Sequence, residues 1–92
     1  MSFREEFRKD YEAVKVMLKD LESQLGEVEE RISELERKYG RSSDEFLEDR
    51  SGVSEEDREE WLGLIYYRDN LKSGLAPLRH QIESLKGIFE DP

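Results

Sequence analysis

The chain has 92 residues, 15 Lys and Arg against 24 Asp and Glu, and a formal charge of −9, which allows one domain with one core. A surface this acidic repels DNA, RNA and anionic membranes and favours a basic protein as partner. Cysteine is absent, which excludes disulfides and thiolate chemistry, and no apolar run approaches the ~20 residues of a membrane span, so a cytoplasmic protein is expected.

With 42% charged and 35% hydrophobic residues, the composition borders on that of disordered chains, and a fold depends on where the apolar residues fall. From the N-terminus they read Phe7, Tyr11, Val14, Leu18, Leu21, Leu25, Val28, Ile32, Leu35 and Tyr39, alternating steps of four and three. This heptad stripe predicts a coiled-coil-like helix over about 3–39, with Tyr11, Leu18, Leu25, Ile32 and Tyr39 at a and the others at d. Glu5 with Lys9, Glu27 with Arg31 and Glu34 with Lys38 are spaced for i,i+4 pairs on its outer face. Gly40 supplies the stop, as a residue that accepts positive φ.

Ser42 and Glu45 are spaced as a capping box ahead of Phe46 and Leu47, which predicts a short helix over about 43–50. Ser51 and Gly52 then turn the chain. Ser54, followed by Glu55, Glu56 and Asp57, has the chemistry of a helix start.

A second stripe, Trp61, Leu64, Arg68, Leu71, Leu75, Leu78, Ile82, Leu85 and Phe89, predicts a helix over about 54–90. Arg68 is the one charge on this seam: its stem is expected to pack while its guanidinium reaches an acidic neighbour, the alternative being a charge that fixes register or partner, with Glu29 of the first helix a candidate to pair with it. Pro77 removes a backbone donor and predicts a kink near 74–77. Two such helices are each roughly 54 Å long, and a connector of about fourteen residues cannot span that distance once part of it is helical. The fold expected is therefore all-α: a single domain over 1–92, a long antiparallel helical hairpin with a short connecting helix.

More apolar residues are present than one two-helix seam can bury. Phe3, Val16, Met17, Ile88 and Phe89 fall at the open end of the hairpin. Tyr39, Phe46, Leu47, Val53, Trp61, Leu62, Ile65, Tyr66 and Tyr67 fall around the connector. Small folds with little core commonly gain burial by associating, so a homodimer forming a four-helix bundle over part of its length is expected.

Catalytic chemistry finds little footing. His80 falls on the outer face with no metal-ligand spacing around it, and the six glycines are scattered singly, without the strand–loop–helix context of a phosphate cradle. No basic region precedes the heptads, so the pattern is not that of a DNA-binding zipper. Glu55, Glu56 and Glu59 fit Glu-Glu-x-x-Glu and resemble the first half of the metal motif of all-α nucleotide pyrophosphohydrolases of the MazG kind, but the Glu-x-x-Asp that completes that motif is missing after Glu59. No enzyme, metal or cofactor is expected. The charge map is more telling: segment 43–60 holds nine carboxylates against Arg50 and Arg58, an acidic rim around an aromatic cluster, and aromatic residues carry much of the energy of binding surfaces.

Lys38-Tyr39-Gly40-Arg41-Ser42-Ser43-Asp44-Glu45-Phe46-Leu47, followed by Asp57, Glu60-Trp61, Leu64, Tyr67-Arg68 and Leu71, resembles a group of small acidic helical antitoxins encoded beside TumE-type toxins. The resemblance covers about 35–75. It implies that the protein binds and neutralises a small toxin, a ribonuclease whose basic RNA-binding face suits this acidic surface. The partner-binding candidates are then Tyr39, Phe46, Trp61, Tyr66, Tyr67 and Arg68, and the alternative function is a structural coiled-coil oligomerisation module.

Overall fold

The computed structural model describes residues 3–89. Among them the chain forms α1 (Phe3–Tyr39), α2 (Ser43–Glu48) and α3 (Glu55–Phe89), and no strand. The long helices run antiparallel: Tyr11, early in α1, stacks on Phe89 at the end of α3, and Tyr39, closing α1, meets Trp61 near the start of α3. The result is a rod of 62 × 21 × 17 Å. No helix among the described residues is long and apolar enough to cross a membrane.

On α1 the buried residues are Tyr11, Leu25, Val28, Ile32 and Leu35, each at an a or d position of the heptad. On α3 the buried apolar line is Trp61, Ile65, Leu71, Leu75 and Phe89. Ile65 departs from the sequence expectation, since it is buried while Leu64 of the seam is only half-buried. At 3.6 residues per turn Ile65 lies about 40° round α3 from Trp61 and Leu64 about 60° to the other side, so a core centred on the sealed Trp61 takes Ile65 first.

The turns follow local chemistry. Gly40 takes a φ of 65°, and the Arg41 N–H donates to the Glu36 carbonyl at 3.2 Å, the six-to-one bond of a helix ended by a left-handed residue. Both arms of the capping box form: Ser42 Oγ accepts from the Glu45 N–H at 3.1 Å, and the Glu45 carboxylate accepts from the Ser42 N–H at 3.0 Å. α2 ends at Glu48, short of the expected end near Arg50. Asp49 is extended there, and its carboxylate takes both the N–H and the hydroxyl of Ser51. Arg41 donates to the carbonyls of Asp49 and Ser51, at 2.9 Å each. Those bonds hold the segment out of helical geometry.

Gly52 at a φ of 80° reverses the chain, and Ser54 caps α3 by accepting from the Asp57 N–H. α3 runs without interruption across Pro77, which lies on the exposed side. The expected helix end at residue 90 lies outside the described residues.

Candidate interaction site

The connector end is organised around one indole. Trp61 has no solvent exposure, lies face to face with Phe46 (centroids 4.0 Å apart, planes 3° apart) and packs on its other flank against Tyr39 at 6.0 Å. Its Nε1–H donates to Ser43 Oγ at 3.0 Å, and the Ser43 hydroxyl and N–H both donate to the Glu36 carboxylate, at 3.0 and 2.7 Å. α2 is thereby bonded to both long helices through a single serine. Among the described residues no buried side-chain nitrogen or oxygen lacks a partner.

Beside the indole sits a buried carboxylate, Asp57. It accepts from Lys38 Nζ at 2.7 Å and from the Tyr39 hydroxyl. These bonds, that from Lys38 foremost, hold Asp57 below the usual carboxylate range, and the same bond raises Lys38. One turn on, Glu60 accepts Arg31 Nε at 2.8 Å and its terminal nitrogen at 2.7 Å, a bidentate pair that lowers Glu60 and raises Arg31. The same-helix pairing expected of Arg31 with Glu27 and of Lys38 with Glu34 thus gives way to pairing across the hairpin. Arg31 also meets Glu34 at 2.9 Å, an i,i+3 contact. The bond from the Ser42 backbone lowers Glu45.

The candidate contact residues divide into two groups. Phe46 and Trp61 are fully buried and Tyr39 is half-buried, so these three shape the connector from within. Tyr66 and Tyr67 face outward, Tyr66 with 72% of its surface exposed, and Leu47 of α2 joins them as an exposed apolar side chain. Tyr67 also donates its hydroxyl to Gln24 at 2.8 Å. Arg68 is half-buried and pairs with an acidic neighbour, Asp69, at 3.1 Å, rather than with the candidate Glu29. Its stem packs at the seam while its charge reaches the edge, as long basic side chains do. Glu55, Glu56 and Glu59 are all exposed, and among the described residues no three His, Cys, Asp or Glu side chains gather as a metal site.

The open end is built differently. Phe89 and Tyr11 are buried against one another at 5.2 Å, with the Arg4 and Arg8 guanidiniums over the Phe89 ring. Phe3, Phe7, Val16, Met17 and Ile88 are left on the surface, and Val14, Leu18, Leu21, Leu78, Ile82 and Leu85 are half-buried. A groove of about 430 Å³ runs between Phe7, Asp10, Gln81, Leu85 and Ile88. Phe7 departs from its expected d position on the seam in being more than half exposed, and Phe3, Val16, Met17 and Ile88 are the surplus that one seam does not bury.

No family model matches the chain, and no curated protein and no solved structure matches it.

Proposed function

We infer that the protein is a non-enzymatic binding protein that engages a small basic protein at its acidic connector end, in the manner of an antitoxin. The observation that carries this reading is the segregation of charge: nine of the 24 carboxylates lie in segment 43–60 with only two arginines. That segment is anchored by the Trp61 core, carries the exposed Leu47 and is followed on α3 by the exposed Tyr66 and Tyr67. A charged rim sets partner choice and association rate, and tyrosines beside it supply contact area. The resemblance over 35–75 points the same way, since a toxin with a basic RNA-binding face is such a partner. Tyr39, Phe46 and Trp61 serve this function by fixing the shape of the surface rather than by contact.

The protein acts as a homodimer, a four-helix bundle over part of its length. A second reading, a structural oligomerisation module with no other partner, is favoured by the apolar side chains at the open end. The two are separated by capturing partners of the tagged chain from lysate of its source and identifying them by mass spectrometry. One small basic protein, lost with a folded Glu56→Lys, Glu59→Lys variant, supports the antitoxin-like reading; recovery of the chain alone supports the module.

A further inference from the structure

We propose that two copies join only through their open halves, in antiparallel overlap, so that the acidic connectors stand at opposite ends of a long dimer. This rests on the homodimer reading and specifies its surface and direction. From Leu25 to Leu35 on α1 and from Trp61 to Leu75 on α3 the seam is closed within one chain, with Leu25, Val28, Ile32, Leu35, Trp61, Ile65, Leu71 and Leu75 all buried. Below Leu25 only Tyr11 and Phe89 are buried, while Phe7 and Met17 are more than half exposed and Val16 is 70% exposed. Val14, Leu18 and Leu21 are half-buried against α3, whereas Phe3, Phe7 and Met17, on neighbouring heptad positions, leave a stripe of α1 that α3 does not cover.

Charge selects a second copy as the occupant and sets its direction. Segments 3–21 and 76–89 together carry seven cations and six anions, whereas segment 43–60 carries nine anions and two cations. A symmetric overlap of the open halves brings together nearly neutral, self-complementary surfaces. It also places the acidic connectors many times farther apart than the Debye length of about 8 Å at physiological salt. A parallel, side-by-side dimer would instead set the two acidic segments against each other. In the antiparallel overlap the stripe crosses its own copy, Phe7 of one chain near Met17 of the other, and the groove between Phe7, Asp10 and Leu85 receives a side chain of the second copy.

Light scattering gives the mass and small-angle X-ray scattering the length of the unmodified chain. Since 3–21 spans roughly 28 Å of helix, the proposed dimer measures about 95 Å, against 62 Å for one chain. A dimer mass at about 95 Å supports the proposal. A dimer near the length of one chain overturns the overlap but keeps the dimer; a monomer overturns both. The chain has no cysteine, so a Phe7→Cys, Met17→Cys variant gives a clean second test. Disulfide-linked dimers under mild oxidation are expected, with none from Tyr66→Cys; the reverse pattern would place the interface at the connector.

Discussion

The Trp61 indole and the Phe46 ring lie parallel at a centroid separation of 4.0 Å, and through this contact a six-residue helix that is too short to persist alone is fixed to the end of the hairpin. Isolated helices of that length do not hold in water. α2 exists because its one buried aromatic residue, its capping box and Ser43 all find partners on the long helices. The same end of the hairpin holds Lys38 and Tyr39 on Asp57, and Arg31 on Glu60, so short-range caps and cross-hairpin bonds meet around one indole.

Removing the indole should therefore dismantle the connector. Trp61→Ala is expected to cost about 3–5 kcal/mol, the range for deleting a buried large aromatic side chain. Ser43→Ala, which strands the indole N–H, is expected to cost about 1–3 kcal/mol. Urea unfolding followed by circular dichroism checks both.

Gly40 and Gly52 have positive φ, and no side-chain clash stands in the way at Gly40. Gly40→Ala should cost only the conformational strain, about 1–2 kcal/mol. Pro77→Ala should raise stability by up to about 3 kcal/mol, because an exposed position inside a continuous helix regains its backbone bond. Thermal melts of the two variants should shift in opposite directions.

The connector should loosen in acid. Asp57, Glu60, Glu45 and Asp49 all lie below their ordinary values, held there by Lys38, Arg31, Ser42 and Ser51 respectively. Groups depressed in the folded state stabilise it fully above their unfolded pKa, about 3.9 for Asp and 4.3 for Glu. That stability is lost as pH falls through the folded values. Fluorescence of Trp61, the one tryptophan, should therefore be flat above about pH 5 and shift only below about pH 4. A shift between pH 5 and 7 would contradict this.

The Arg31–Glu60 pair is bidentate, yet both side chains are about two-fifths exposed. A double-mutant cycle with Arg31→Ala and Glu60→Ala should return only the small coupling of a solvent-exposed pair, shrinking as salt is added.

Much of this was legible in the sequence. The a and d positions of α1 located its core, Ser42 and Glu45 located α2, and Gly40 located the end of α1, because these signals act between residues close along the chain. What sequence could not decide was which side of the hairpin each connector aromatic faces. Tyr66 and Trp61 are both aromatic and five positions apart, yet one is mostly exposed and the other sealed, since α2 covers only one side. The charges were misplaced for a related reason. Arg31 and Lys38 have acidic neighbours on their own helix, but the antiparallel partner offers Glu60 and Asp57 in better geometry, and periodicity is blind to contacts across the seam.

Binding of a basic protein at the acidic connector end is tested by titrating the captured partner against the wild-type chain and the Glu56→Lys, Glu59→Lys variant at two salt concentrations. Affinity at least about tenfold weaker for the variant is expected, with a wild-type affinity that falls as salt screens the rim. Equal affinity for both chains, insensitive to salt, would contradict it.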